Sequence, residues 1–124
     1  MRAGLHKKKV LVVDDALSVM QSSVLVVQAA GFHATGEVSA AGALEAAEAD
    51  HPDILLCDIQ LGDTNGVALS LEVLKLVPGC RIILISGDTT STKILADAHE
   101  RGYDFEVLAK PTRPQELLAL LGKP

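Results

Sequence analysis

Tryptophan is absent from the sequence, and one tyrosine and two phenylalanines are its only other large aromatics, so the apolar interior has to be aliphatic. Leu, Val, Ala and Ile supply it: hydrophobic residues make up 48% of the chain, enough for a dense core. Positive charge is also in deficit. Eleven Lys and Arg stand against sixteen Asp and Glu, and a net charge of -5 would repel a polyphosphate backbone, which argues against nucleic acid as a direct partner. The one basic run, Lys7, Lys8 and Lys9, abuts the first apolar segment and reads as a solvated leader.

Cysteine is scarce too. Cys57 and Cys80 lie in separate apolar stretches without C-x-x-C spacing, which excludes a disulfide scaffold and a zinc site and leaves two buried, reduced thiols. No apolar run approaches the roughly 20 residues that span a bilayer. The start, Met1 to Lys9, lacks the apolar core of a signal peptide. No membrane insertion and a cytoplasmic location are therefore expected. The 124 residues suit one domain, with 1–8 as leader and 9–122 as folded core.

Short aliphatic runs at Val10 to Val13, Ile54 to Cys57 and Ile82 to Ile85 have the form of strands buried on both faces. Phe32 to Glu37 and Phe105 to Leu108 complete a set of five. Helical patterns alternate with them. Leu17, Met20, Val24 and Val27 recur at helix spacing with Gly31 as the cap beyond, and Ala40 to Ala49 forms a second helix. A third runs from near Asn65 to Val77, stopped by Pro78 and Gly79. A fourth starts in the Thr89 to Thr92 cluster and ends at Gly102, and Pro114 opens a fifth. Five β-then-α units with right-handed crossovers predict an α/β, doubly wound five-stranded parallel sheet of order 2-1-3-4-5, a flavodoxin-like (βα)5 fold. In such a fold the ligand site lies beyond the carboxyl ends of the central strands.

Asp14 and Asp15 end the first strand, Asp58 follows the third, Ser86 ends the fourth and Lys110 follows the fifth, so all five fall on that edge. Each alone has a structural explanation as a cap, a turn residue or a solvated charge. Together, three carboxylates, a hydroxyl and an ammonium converge on the switch point, which structure alone does not require. Carboxylates within about 4 Å repel by roughly 4 kcal/mol at an intermediate dielectric, and a divalent cation relieves this. Oxygen donors open to water match Mg²⁺. His6, His33, His51 and His99 are scattered without ligand spacing and read as surface or capping residues. One carboxylate could then attack an activated phosphoryl group, with Mg²⁺ and Lys110 neutralising its oxygens and Ser86 donating a hydrogen bond.

From Val10 to Leu121 the chain resembles the receiver domains of two-component response regulators, stand-alone chemotaxis regulators among them. The resemblance rests on the Asp14-Asp15 pair after VLVV, Asp58 in LLCDIQL followed by Gly66, Ser86 after RIILI, and Lys110-Pro111. It implies that Asp58 is the phospho-acceptor, Asp15 a direct Mg²⁺ ligand, Asp14 a ligand through water and the backbone carbonyl of Gln60 a further ligand. It also implies that Ser86 and Lys110 contact the phosphoryl group and that the Lys110-Pro111 bond is cis. A histidine kinase, a histidine phosphotransfer protein or a small phosphodonor would supply the phosphoryl group. A downstream protein partner would read the result, a homodimer is possible, and the domain would catalyse only its own phosphorylation and dephosphorylation.

The chain departs from the family at Gly62, often Pro, at Ser86, more commonly Thr, and at Val107, usually Tyr or Phe. Rival readings are a phosphorylation-independent interaction module, an aspartyl-phosphate hydrolase and a flavin carrier. The hydrolase needs a second Asp where Gln60 stands, and the flavin carrier needs hydroxyls and free amides where Asp14-Asp15 stands. One further expectation concerns the third helix, where Val67, Leu71 and Leu74 form one apolar stripe and Leu69, Val73 and Leu76 another. Either neighbouring helices cover the second stripe or it is a partner surface.

Overall fold

Runs of Val, Ile and Leu favour extended backbone because β-branched and bulky aliphatic side chains pack well on a pleated surface. In the computed structural model, which describes residues 7–62, 64–87 and 89–123, each such run is a strand. The order is β1 (Lys9–Val13), α1 (Leu17–Ala29), β2 (His33–Glu37), α2 (Ala40–Ala49), β3 (Ile54–Asp58), β4 (Gln60–Leu61) and β5 (Thr64–Asn65). Then follow α3 (Gly66–Leu76), β6 (Arg81–Ser86), α4 (Thr89–Glu100), β7 (Glu106–Ala109) and α5 (Pro114–Leu121). His6 and most of the expected leader lie outside the described residues.

The main sheet is parallel throughout, in the order β2-β1-β3-β6-β7. That is the expected 2-1-3-4-5, with two short strands interposed in the numbering. Alternation along each strand sorts the core into two layers. Leu11, Val13, Leu55, Cys57, Ile82 and Leu84 face α2, α3 and α4. Val10, Val12, Ile54, Leu56 and Ile83 face α1 and α5. Fully burying one such side chain contributes about 1.5–3 kcal/mol.

The sequence reading did not anticipate the β4–β5 hairpin. Gln60 pairs with Asn65 and Leu61 with Thr64, antiparallel, and Gly62 at φ +76° opens the turn between them. A positive φ costs glycine little, which is the physical use of Gly62 where the family often has Pro. Asn65 then caps α3, its Oδ1 accepting from the Ala68 N–H at 2.9 Å. Ser39 caps α2 in the same way, and Gly31 ends α1 at φ +100°.

Each apolar stripe of α3 is partly covered. Leu69, Val73 and Val67 are buried, while Leu71, Leu74 and Leu76 are half-buried against the same core layer. The helix lies between α2 and α4, so each neighbour shields one flank. At the opposite edge of the sheet from the acids, the Arg81 guanidinium grips Glu106 through two bonds of 2.7 Å. It also donates to the carbonyls of Leu120 and Lys123. Among the described residues, no helix is long and apolar enough to cross a membrane.

Candidate functional site

The carboxyl ends of β1 and β3 deliver the acids. Asp14 continues β1 by one residue, its N–H donating to the Glu37 carbonyl at 3.2 Å. Its Oδ1 accepts from the Ala16 N–H at 2.9 Å, so the Asp14 side chain, not Asp15, ties down the entry to α1. Asp15 is exposed to solvent. Asp58 is the last residue of β3, beside Ile85 of β6, and is 3% exposed. One ligand oxygen from each of Asp14, Asp15 and Asp58 lies within 4.8 Å of the others.

Both oxygens of Asp58 are held. Oδ1 accepts from the Gln60 N–H at 3.0 Å, and Oδ2 accepts from Lys110 Nζ at 2.5 Å. Lys110 reaches Asp58 because β7 pairs with β6, the Lys110 N–H donating to the Ser86 carbonyl at 2.9 Å. Ser86 thus stands half-buried at the end of β6, next to the strand that carries Lys110. The Lys110–Pro111 bond is cis.

Two glycines make room for this geometry. A β-carbon on Gly66 would sit 2.5 Å from the Asp58 carbonyl oxygen, and one on Gly87 would sit 3.1 Å from Lys110 Cδ. Gly87 was missed in the sequence. Its signal was its place directly after Ser86, where the backbone passes beneath a long side chain.

Charge at the site is unbalanced: three carboxylates meet one ammonium. Burial pushes the Asp14 carboxyl above its ordinary value, and the charges of Asp58 and Asp15 push it further, against the Ala16 N–H and Lys110. Burial pulls Lys110 down, but its hydrogen bond to Asp58 and the charges of all three acids outweigh this, so its value is raised and it stays protonated. Burial, reinforced by Asp58 and Asp14, also pushes the Cys57 thiol far up. The neutral thiol donates to the Asp58 carbonyl at 3.2 Å. Cys57 and Cys80 are both free and buried. Hard oxygen donors in excess over cations are the donor chemistry of a small divalent ion, and the cluster fits one.

The model of the response regulator receiver domain family matches residues 10–122. This chain belongs to that family. Receivers are the signalling domains of two-component systems, phosphorylation of an aspartate is their general function, and they generally use Mg²⁺.

The receiver is 28% identical to chemotaxis protein CheY of Thermotoga maritima over 117 residues, 94% of this chain and 96% of that one. It is 30% identical over 113 residues to the DNA-binding response regulator MtrA of Mycolicibacterium smegmatis, covering 91% of this chain but 48% of MtrA. The chain thus spans about half the length of its MtrA relatives. A CheY-like receiver structure from Methanospirillum hungatei superposes with a TM-score of 0.82 at 26% identity, over 94% of this chain and 91% of that one.

Val107, where receivers usually carry an aromatic, is 41% exposed on the edge strand β7. Its neighbour Leu108 packs with the α1 and α5 layer, so Val107 points to the α4 side. His33, His51 and His99 are exposed, and His99 pairs with Asp104.

Proposed function

We propose that this receiver accepts a phosphoryl group on Asp58. The observation that carries the reading is the treatment of that carboxylate. It is almost fully buried, yet Gln60 N–H holds one oxygen, Lys110 Nζ holds the other, and two more carboxylates adjoin it. A carboxylate fixed in one orientation at a strand end is a positioned nucleophile. In the transfer, the bond from phosphorus to the donor's nitrogen or oxygen breaks as a bond to an Asp58 oxygen forms. The donor group departs with the electron pair.

Lys110 then exchanges its carboxylate partner for a phosphoryl oxygen, and Ser86 offers a hydroxyl from β6. A depression of about 520 Å³ lined by Asp14, Ser23, Gly87, Lys110 and Pro111 opens beside the site on the α1 side. Asp15, Asp58 and the Gln60 carbonyl would hold Mg²⁺, with Asp14 acting through water. The ion would add positive charge beside the transferring oxygens. The donor is a histidine kinase, a histidine phosphotransfer protein or a small phosphodonor. A protein partner reads the phosphorylated state, the setting is cytoplasmic, and the domain promotes only its own phosphorylation and dephosphorylation.

Incubation with acetyl phosphate and Mg²⁺, followed by intact mass measurement, tests this. Wild type gains the mass of one phosphoryl group and Asp58→Asn gains none, because an amide is a poor nucleophile toward phosphorus. Equal labelling of the two proteins overturns the assignment.

A further inference from the structure

We propose that Asn65 is a positioning residue for the cation: through the β4–β5 hairpin it aims the backbone carbonyl of Gln60 at the acid cluster. The inference rests on the reading of Mg²⁺ at that cluster given above. In an antiparallel ladder, facing residues alternate between pairs that exchange both backbone hydrogen bonds and pairs that exchange none. The Gly66 N–H donates to the Ile59 carbonyl at 2.8 Å, so Ile59 faces Gly66 as a bonded pair and Gln60–Asn65 is a pair of the other kind. Both backbone groups of Gln60 therefore point away from β5. The Gln60 N–H donates to Asp58 Oδ1 at 3.0 Å, which identifies the acid cluster as the side they face. An extended residue directs its carbonyl to the same side as its N–H.

Burial fixes the roll of β4 about its own axis. Ile59 and Leu61, on either side of Gln60, are buried in the α2–α4 layer, so the Gln60 side chain is left to solvent and its backbone turns to the acids. Register is the other requirement. A slip of β5 by one residue would make Gln60 a member of a bonded pair and turn its carbonyl toward β5.

Asn65 holds that register. Gly66 sits against the Asp58 carbonyl, which sets where α3 begins. The residue before it stays extended, at φ -136° and ψ 163°, while the helix starts beside it. The Asn65 side chain makes that junction: its Oδ1 accepts from the Ala68 N–H at 2.9 Å, and the backbone of the same residue faces Gln60. A short side chain with an acceptor oxygen is what such a position needs. Without it the first turn of α3 loses its tie to β5, and the carbonyl across the ladder loses its fixed aim. Metal sites respond strongly to residues that orient a ligand without touching the ion.

Calorimetric titration of the full chain with Mg²⁺, without phosphodonor, tests it, with circular dichroism and thermal unfolding of each metal-free variant alongside. Asn65→Ala is expected to raise the Mg²⁺ dissociation constant about tenfold. Asn65→Ser keeps a capping oxygen and is expected to return the constant to within about threefold of wild type. Glu106→Gln is the control for stability alone: it breaks the Arg81 pair at the opposite edge of the sheet and should leave the constant unchanged. A wild type that binds no Mg²⁺, or an Asp15→Asn protein that binds it equally well, overturns the reading of the site and the inference with it. Where wild type binds and Asp15→Asn binds more weakly, the inference alone is overturned by Asn65→Ala binding as wild type does. An Asn65→Ser protein that does not recover, or a Glu106→Gln protein that loses as much affinity as Asn65→Ala, overturns it too.

Discussion

The backbone carbonyl of Asp58 occupies the space that a β-carbon on Gly66 would need, 2.5 Å away. The Gly66 N–H meanwhile donates to the Ile59 carbonyl at 2.8 Å, so the first residue of α3 is fastened to the residue that follows that contact. Gly66→Ala is expected to lower stability by about 1–3 kcal/mol, the usual cost of overpacking a tight site, and to slow labelling of Asp58. Chemical denaturation and intact mass time courses measure the two effects. An unchanged midpoint would mean that the junction yields without cost.

Lys110 is the one ammonium bonded to Asp58 among the described residues. Lys110→Met removes the ammonium that the proposed function sets against the phosphoryl oxygens, and the labelling rate is expected to fall about 100-fold. Binding of Mg²⁺, followed by calorimetry, is expected to hold or tighten, because a competing positive charge has gone. A wild-type rate in this variant would remove Lys110 from the transfer.

Asp14 makes a prediction of the opposite sign for stability. Its folded value is raised by burial and neighbouring acids, so its contribution to stability is present below the unfolded value and is lost as pH rises. At neutral pH the ionised group is a cost. Asp14→Asn is expected to stabilise the metal-free protein by about 1 kcal/mol while weakening Mg²⁺ binding. Thermal unfolding with and without Mg²⁺ reads both, and equal curves for the two proteins in both buffers would contradict the clustering.

The strand-ending acids were legible because a buried parallel strand has a simple signature: a short aliphatic run that stops at polarity. Val10 to Val13 and Ile54 to Cys57 show it, so Asp14, Asp15 and Asp58 could be placed on one edge before any coordinates. The small hairpin at Gln60–Asn65 could not. Two-residue strands carry no periodicity, and Gly62 alone does not distinguish a hairpin turn from a loop. The fate of the second α3 stripe was equally open, because covering Leu69 and Val73 depends on how closely α2 and α4 approach, which is a tertiary property. Strand and helix ends shifted by one or two residues where hydrogen bonding outlasted the apolar pattern, as at Lys9, Asp58 and Ser86.

The Arg81–Glu106 pair predicts a pH dependence. The hydrogen bond and charge of Arg81 hold the Glu106 carboxyl below its usual 4.5. That stability is present above the unfolded value and is lost as pH falls through the lower folded one. Glu106 is 40% exposed, so solvent screening limits the effect. Glu106→Gln is expected to cost about 0.5–1 kcal/mol at neutral pH. The difference from wild type should vanish well below 4.5, and a gap that persists there would point to packing instead.

Val107 is 41% exposed and has no long lever to move between exposed and buried positions. Val107→Ala is expected to change stability by less than about 0.5 kcal/mol. When a beryllofluoride phosphoryl mimic and Mg²⁺ are added, amide shifts are expected to concentrate in the segments after Asp58 and Ser86. Changes of equal size across β7 and α4 would show that the switch works without an aromatic.

The Arg81 grip on the carbonyls of Leu120 and Lys123 makes α5 a rod with one pinned end. Its other end, at Pro114, follows the Lys110 segment and has no side-chain cap. The side-chain ties of α5 to the sheet are thus concentrated at its C-terminal end. Amides in the last turn of α5 should therefore exchange with solvent more slowly than those in the first, and a disturbance at Lys110 is expected to reach the helix first at Pro114.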